Sequence, residues 1–298
     1  MGFSLPSFAK INWTLRVLGR REDGFHELYT IFQTVSLSDT LTFEASHDLT
    51  LTCDDDSMPT DGSNLILRAA EDLRGAFGID RGARIHLRKR IPSPGGLGGG
   101  SSNAAVALIG LSKLWGIEEE AEPFQYENMA ISLGADVPFF LFGGTAFGFV
   151  RGDCVVPRDD IPALENLLLV VPAVHASTAE IFASLNAPTL TKQASETNLI
   201  VYRKDVESFD PRHSELKNDL EPSVFAKFPE VERVKNTLLE LGAVNAAMSG
   251  SGASVFGIFD KQETRQAAID ALADKRSWRK FAVSTVSGDE YREALGIA

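Results

Sequence analysis

The sequence predicts an α+β protein with two domains. Its 298 residues are more than a single hydrophobic core usually supports. Stretches with an apolar residue at every second position alternate with stretches of helical spacing along the chain. In the last third, the order helix, strand, glycine-rich turn, strand, helix, strand predicts helices on one face of an antiparallel sheet. A polar stretch over 158–166 is the candidate crossing, so we expect domains at 1–157 and 158–298.

The first predicted domain mixes strands and helices. In its opening strand, Ala9 and Ile11 fall on one face while Lys10 and Asn12 fall on the other. Ser and Asn residues just before periodic apolar residues predict helix starts. In chain order we expect strands over 8–17, 29–37 and 40–44, a helix over 64–77, a strand over 84–91, a helix from Ser101 or Ser102 to about 115, a helix over 123–133, and strands over 143–150 and 154–156.

The second predicted domain begins with a short, continuously apolar strand over 167–171. Ser177 and Glu180 have the spacing of a capping box, which predicts a helix start, and Asp260 and Glu263 have the same spacing. In chain order we then expect a helix over 229–241, strands over 244–248 and 254–259, a helix after Asp260, and a strand over 280–286.

The charge balance restricts the kinds of partner. The formal net charge of −12 argues against a broad nucleic-acid-binding surface, because such a surface needs clustered Lys and Arg. We therefore expect no nucleic-acid partner, and we expect any anion-binding site to be local. The basic run Arg84, Arg88, Lys89 and Arg90 either supplies such local charge or is a solvated strand edge.

The cysteines and the apolar runs indicate the compartment. Cys53 and Cys154 lie far apart and lack metal-ligand spacing, so we expect free thiols in a reducing cytoplasm and no structural metal. Lys10 interrupts the apolar run near the chain start, so we expect no signal peptide. The uncharged stretch 91–112 is long enough to cross a bilayer, but its glycines and serines argue against a membrane span.

The glycine-rich segment 91–105 is the strongest indication of a binding site. It holds five glycines between a predicted strand and a predicted helix. Glycine permits φ > 0 and close approach of a ligand, and free N–H groups at a helix start bind anions. The segment predicts a phosphate-binding loop, with tight packing as the alternative reason for its glycines. It is not a Walker A loop, and Ser101 takes the place of the last glycine in the G-x-G-x-x-G pattern.

Lys10 and Asp136 are candidate catalytic residues, each with a structural alternative. Lys10, inside an apolar strand, either places its ammonium at a cleft to hold developing negative charge or extends it into solvent at a sheet edge. Asn12 shares its strand face and can orient the same ligand. Asp136 either caps the helix that Pro138 opens or is a carboxylate placed as a general base.

Two further segments have two interpretations each. The turn Met248–Ser254, rich in Gly and Ser, either presents amides to a ligand or only joins two strands. Phe25 and His26, beside a polar turn, either bind a ligand by stacking and hydrogen bonding or pin the loop onto the core. No G-x-S-x-G motif occurs, which argues against a hydrolase of that type.

Together these segments resemble the GHMP kinases, the superfamily of galactokinase, homoserine kinase, mevalonate kinase and phosphomevalonate kinase. The signature loop of that superfamily is similar to Pro92–Ser102, and its C-terminal glycine motif is similar to Met248–Gly252. The resemblance is closest to the branch that phosphorylates 4-diphosphocytidyl-2-C-methyl-D-erythritol in the methylerythritol phosphate pathway of isoprenoid precursor synthesis. The segments that match this branch are Ala9–Asn12, Gly19–Leu28, Leu133–Phe140 and Asn218–Glu221.

The resemblance implies two α+β domains, an N-terminal ribosomal-S5-like β/α domain and a C-terminal antiparallel sheet with helices on one face, with the active site in the cleft between them. It implies ATP as the phosphate donor, with Mg²⁺ carried by the nucleotide. Asp136 would accept the proton of the substrate 2-hydroxyl, and Lys10 would position that hydroxyl. The ATP-binding residues implied are Pro92, Ser93, Gly95, Gly96, Leu97, Gly98, Gly99, Gly100, Ser101 and Ser102, with Asn64 near the adenine.

The resemblance also assigns the other end of the substrate, a small molecule with a cytidylyl group. Besides Asn12, the residues implied to hold it are Phe25, His26, Thr178 and Phe182. The branch more often has Tyr at position 25, and Phe25 keeps the stacking face. Pro94 removes one backbone donor from the loop, which excludes an N–H contact to phosphate there. We expect a monomer or a weak homodimer.

Other functions are kept as alternatives. Within the superfamily, a homoserine or mevalonate kinase has no need of a base pocket at Phe25 and His26. A dinucleotide-dependent dehydrogenase would need a βαβ unit with the strict glycine spacing at the chain start. A non-catalytic nucleotide-sensing or RNA-binding module would need a basic face, which a net charge of −12 does not readily supply.

Overall fold

The computed structural model describes residues 2–118, 122–185 and 209–297. The strands are β1 (Phe3–Arg20), β2 (His26–Ser46), β3 (Thr50–Cys53), β4 (Gly82–Arg88), β5 (Thr145–Val150), β6 (Cys154–Pro157), β7 (Leu167–Pro172), β8 (Asn245–Met248), β9 (Val255–Ile258) and β10 (Trp278–Val283). The helices are α1 (Leu65–Phe77), α2 (Gly99–Trp115), α3 (Pro123–Leu133), a 3₁₀ helix (Pro138–Leu141), α4 (Thr178–Ala183), α5 (Glu221–Lys227), α6 (Pro229–Glu240), α7 (Gln262–Ala271) and α8 (Gly288–Leu295).

Two sheets form the frame of the described part of the chain. The first has the order β3-β4-β2-β5-β6. Strands β4 and β5 pair with successive parts of one edge of β2, and β1 pairs with the opposite edge. Only β3 and β4 are parallel within it. The second sheet has the order β10-β7-β9-β8 and is antiparallel throughout. This architecture confirms the predicted α+β fold and the antiparallel C-terminal sheet.

Helices cover one face of each sheet, and the sheets share a core. Helices α1 and α2 pack on the first sheet with α3 against them, while α6 and α7 pack on the second with α5 beside α6. Between the sheets, the indole of Trp13 on β1 meets the ring of Phe256 on β9 edge-on, with centroids 5.3 Å apart. Both side chains are fully buried. The two halves of the protein therefore meet along β1, the strand that carries Lys10.

Helix α8, which the sequence pattern did not predict, packs on the first core. Tyr291 of this helix is fully buried, and its hydroxyl donates to the Phe140 carbonyl oxygen at 2.6 Å. Burial raises the pKa of Tyr291. The end of the chain thus completes the N-terminal core, and a domain boundary at 158 stays a prediction.

Several predicted element boundaries are wrong. Helix α2 begins at Gly99 with Gly98 as its N-cap, so Ser101 and Ser102 lie inside its first turn rather than capping it. The two strands expected over 29–37 and 40–44 form one long strand, β2, whose pairing with β1 shifts register there. The capping box expected at Asp260 is absent, because α7 has Lys261 as its N-cap.

Candidate active site

Alternation along the first strand places Lys10 and Asn12 on the face opposite Ala9 and Ile11, between two irregularities in the pairing of the strand. Its register with β2 shifts between Phe8 and Ala9, and again between Asn12 and Thr14. A β-bulge bends a strand and changes the direction of nearby side chains. Ala9 packs in the core between the sheets, whereas Lys10 and Asn12 line a cleft.

Lys10 and Asp136 face each other across this cleft. The Lys10 Nζ lies 3.3 Å from the Asp136 Oδ2 and donates to the Asn12 Oδ1 at 2.7 Å. Lys10 is 2% exposed, which contradicts the interpretation of a lysine extended into solvent. Its ammonium also lies 5.4 Å from the centre of the Phe32 ring, within range of a cation–π contact. A lysine has three donors, so one remains for a ligand in the cleft.

Asn12 is itself held in place. Its Nδ2 donates to the Thr30 Oγ1 at 2.7 Å, and the Thr30 hydroxyl donates to the Thr14 carbonyl oxygen at 2.7 Å. These bonds fix the Asn12 amide so that its oxygen faces Lys10. Thr30 and Phe32, both on β2, are therefore parts of the site that sequence reasoning missed.

Asp136 does not cap a helix. It lies in the turn between α3 and the 3₁₀ helix, whose N-cap is Val137 and has no side-chain cap bond. The structural alternative raised for Asp136 is therefore wrong. Its carboxylate side chain is 36% exposed, so a bound hydroxyl group can reach it.

The glycine-rich loop packs tightly against β1. The backbone N–H of Lys10 donates to the Leu97 carbonyl oxygen at 2.9 Å. Gly98 has φ +70°, and a Cβ placed on it would lie 3.0 Å from the Lys10 Cγ. Gly98 is followed directly by α2, whose first N–H groups have no acceptor within the helix. The arrangement is that of an anion site at a helix start.

The second glycine turn packs on the first. The Ser249 hydroxyl donates to the Gly96 carbonyl oxygen at 2.9 Å, and the Ser254 N–H donates to the Gly95 carbonyl oxygen at 3.2 Å. Gly250 lines the same cleft as Lys10. The turn therefore joins β8 to β9 and also forms part of the cleft wall, while presentation of its amides to a ligand stays a prediction.

A buried ion pair supports the loop from below. The Lys89 Nζ donates to the Asp39 Oδ2 at 2.8 Å, and both side chains are almost fully buried. Asp39 also accepts from the backbone N–H groups of Arg90 and Ile91, at 2.6 and 2.8 Å, and from the Asn103 Nδ2 at 3.1 Å. Lys89 is therefore a structural cation beneath the loop rather than a solvated edge residue.

The cleft around the two glycine loops, here called the loop cavity, has a volume of about 420 Å³. The predicted ATP-binding residues Pro92–Ser101 all line it. Ser102 does not, because its hydroxyl accepts from the Ser7 hydroxyl at 2.8 Å in the interior. Asn64 does not line it either. Its side chain caps α1 by accepting from the Ile66 N–H at 2.9 Å, so its adenine contact stays a prediction.

A second space, here called the outer cavity, has a volume of about 790 Å³ and is lined by Phe25, His26, Thr178 and Phe182, among others. Phe25 is 55% exposed, so it does not pin its loop onto the core. The rings of His26 and Phe182 lie 5.4 Å apart. Burial, and then the nearby charge of Arg20, lower the pKa of His26, so the imidazole is neutral at pH 7.

The loop cavity and the outer cavity adjoin each other. Five described residues line both of them, namely Leu28, Ala135, Arg151, Thr178 and Phe182. The hydroxyl of Thr178, one of these five, is hydrogen-bonded to the Ser251 hydroxyl at 2.7 Å. An extended ligand can therefore place one end against Phe25 and the other against Lys10.

The described residues contain neither a membrane-spanning helix nor a cluster of metal ligands. Within them, every helix is too short or too polar to cross a bilayer. The same ranges hold no group of three or more His, Cys, Asp or Glu side chains suited to a metal ion. Cys53 and Cys154 are both free thiols.

The chain matches known proteins along most of its length. The family described as GHMP kinases N terminal domain matches residues 64–144, and GHMP kinases C terminal matches residues 202–277. The crystal structure of a homoserine kinase from Cytophaga hutchinsonii has a TM-score of 0.68 and 22% identity, and the match covers 95% of each chain, which shows a shared fold. Together, the fold, the two glycine loops and the family matches identify the chain as a GHMP kinase.

Closer relatives narrow this class. A 4-diphosphocytidyl-2-C-methyl-D-erythritol kinase of Syntrophotalea carbinolica is 40% identical over 94% of this chain and 97% of its own. Another such kinase, from Protochlamydia amoebophila, is 44% identical over 86% of this chain and 85% of its own. The crystal structure of a 4-(cytidine 5'-diphospho)-2C-methyl-D-erythritol kinase has a TM-score of 0.75 at 32% identity, and the match covers 95% of this chain and 99% of that one. The chain belongs to the 4-diphosphocytidyl-2-C-methyl-D-erythritol kinase family.

Proposed function

We propose that this protein transfers the γ-phosphoryl group of ATP to the 2-hydroxyl of 4-diphosphocytidyl-2-C-methyl-D-erythritol, in the methylerythritol phosphate pathway to isoprenoid precursors. The observation that carries the proposal is that the two cavities adjoin and share part of their walls. One end offers a phosphate loop beside a Lys–Asp pair, and the other offers aromatic side chains. A substrate with a base at one end and a hydroxyl at the other fits this arrangement.

The proposed chemistry takes place between Lys10 and Asp136. The Asp136 carboxylate accepts the proton of the 2-hydroxyl as its oxygen attacks the γ-phosphorus, and the bond from that phosphorus to the ADP oxygen breaks. Lys10 donates a hydrogen bond to the same hydroxyl oxygen and stabilises the developing negative charge. Asn12, fixed by Thr30, keeps Lys10 in place. The residues thus act by position and charge.

The loop cavity suits the phosphates of ATP. Gly96 and Gly98 have positive φ, and Cβ atoms there would fill the narrow space between the two loops and β1. The backbone N–H groups at the start of α2 would hold the phosphate oxygens. Magnesium bound with the nucleotide would neutralise the negative charge of the transferring phosphoryl group.

A cytoplasmic location and a monomeric or weakly dimeric state stay predictions.

The proposal is tested by measuring ADP release in a coupled assay with ATP and Mg²⁺. Three acceptors are compared: 4-diphosphocytidyl-2-C-methyl-D-erythritol, mevalonate and homoserine. We expect turnover with the cytidylyl acceptor alone. Turnover with mevalonate or homoserine instead would keep the kinase and contradict the base pocket, while ATP binding without turnover on any of the three would favour a nucleotide sensor.

Replacing Phe25 with alanine is expected to raise KM for the cytidylyl acceptor about 10-fold, since aromatic contacts contribute roughly 0.5–1.5 kcal/mol beyond the apolar area they bury. KM for ATP should stay unchanged, because Phe25 lines the outer cavity and not the loop cavity. Initial rates with each substrate varied separately measure both constants. Phe124→Ala is a matched control, because Phe124 is equally exposed and lines neither cavity. Equal changes in both KM values would contradict the assignment.

A further inference from the structure

We propose that Arg151 binds the diphosphate of the cytidylyl acceptor and so positions its hydroxyl at Lys10 and Asp136. The inference rests on the proposed function and adds a residue to it. Arg151 begins the turn between β5 and β6, a segment in which sequence reasoning found no site.

The position of Arg151 is the first argument. Among the described residues that line both the loop cavity and the outer cavity, Arg151 alone carries a charge. A ligand that stacks its base on Phe25 and brings its hydroxyl to Asp136 must pass its middle part through the place where the two cavities join. In a cytidine diphosphate derivative, that middle part is the diphosphate.

The way Arg151 is held is the second argument. Val150, just before it, has φ +63°, a conformation that β-branched residues rarely adopt and that costs free energy. The Arg151 Nε donates to the Asp153 Oδ2 at 2.8 Å, and Asp153 is only 8% exposed. The Arg151 guanidinium also lies 5.1 Å from the centre of the Phe25 ring. The fold therefore holds the guanidinium beside the proposed base-stacking ring, at a cost in backbone strain.

The third argument is the negative charge of the protein, together with the hydrogen-bond donors that Arg151 has left for a ligand. The chain carries a net charge of −12, so an anionic substrate needs a local cation to offset repulsion. Lys10 already contacts Asp136 and Asn12, and the proposed mechanism uses its remaining donor for the acceptor hydroxyl rather than for the diphosphate. Arginine has five N–H donors in a planar fork, and contacts with Asp153 use those of Nε and Nη2. The Nη1 donors remain for phosphate oxygens, which arginine binds strongly.

Binding measurements with two small probes test the proposal. Cytidine and cytidine diphosphate are titrated calorimetrically into the full protein, with a non-hydrolysable ATP analogue filling the loop cavity. The variants are Arg151→Met, which keeps the aliphatic stem, Arg151→Lys, which keeps a cation opposite Asp153, and Arg20→Met, which alters an arginine that lines the outer cavity only.

We expect Arg151→Met to weaken binding of cytidine diphosphate about 10- to 100-fold, the range for a charge-assisted hydrogen bond, and to leave cytidine binding within about 3-fold of wild type. Arg151→Lys should lose less affinity for cytidine diphosphate than Arg151→Met does. Arg20→Met should keep the wild-type ratio of the affinities for cytidine diphosphate and cytidine. Equal weakening of both probes by Arg151→Met would overturn the proposal, because it would mean that Arg151 only supports the Phe25 ring. So would a loss of the affinity ratio in Arg20→Met but not in Arg151→Met. If neither probe bound the wild type, the proposed function itself would be contradicted.

Discussion

Replacing Asp136 with asparagine is expected to lower kcat by about 10²- to 10⁴-fold, the range for loss of a positioned general base. KM for ATP should change little, because the glycine loops hold the nucleotide. Asparagine keeps the shape of the side chain but cannot accept the proton of the 2-hydroxyl as a carboxylate does. Steady-state rates in the coupled ADP assay, with saturating ATP, measure the effect.

The control for this variant separates chemistry from folding. Asp260→Asn removes an exposed carboxylate that lines neither cavity, and its kcat should match wild type. Thermal unfolding of Asp136→Asn should remain cooperative, because the 36% exposed side chain packs little against the core, but its midpoint should fall, because the buried Lys10 ammonium loses its carboxylate partner. A kcat within about 3-fold of wild type would contradict the role of Asp136 as proton acceptor, since even a weak general base contributes about 10²-fold.

Replacing Gly96 with alanine is expected to lower the free energy of unfolding by about 2–4 kcal/mol, since it combines a positive φ with a steric clash. Gly96 has φ +72°, and a Cβ on it would lie 2.2 Å from the Ser249 carbonyl oxygen and 3.1 Å from the Gly252 nitrogen. Both are backbone atoms, so neither can rotate away. The two glycine loops must then separate, and KM for ATP should rise. Urea denaturation and ATP titration measure the two effects.

A second glycine gives the matched control for this variant. Gly75 lies in the exposed part of α1, and a Cβ on it would have no atom within 4 Å. Gly75→Ala should therefore increase the free energy of unfolding by about 0.5–1 kcal/mol, because alanine is the better helix former. If Gly96→Ala were as stable as Gly75→Ala and bound ATP normally, close contact between the two loops would not be needed.

The sequence predicted the glycine loops and their general role for local reasons. A dense run of glycines between a strand and a helix has few uses other than close backbone approach, so Pro92–Ser102 was identifiable without any tertiary contact. The choice between phosphate binding and simple packing was not local. In the structure, Gly96 and Gly98 allow close packing, because the other loop and Lys10 press against them, while phosphate binding stays a prediction.

The residues that sequence reasoning missed act through partners distant in the chain. Asp39 looked like an interruption between two strands, yet it is fully buried and binds Lys89 and the backbone at Ile91. Arg151 looked like part of a polar turn, and only the approach of α4 and the Phe25 segment makes that turn the junction of two cavities. A carboxylate between two predicted strands was the only local signal for Asp39, and Arg151 had none.

By itself, the sequence determined the α+β class, most of the strands and helices, the glycine-rich loop and the candidate residues Lys10 and Asp136, because periodicity, glycine content and motif order are properties of neighbouring residues. The tertiary structure decided where those residues lie and what they contact. Alternation along β1 turns Lys10 away from Ala9 and Ile11, but its contact with Asp136 depends on the turn after α3. Burial and pairing are set by elements that meet only in the folded chain, so no local pattern could distinguish a cleft lysine from an edge lysine.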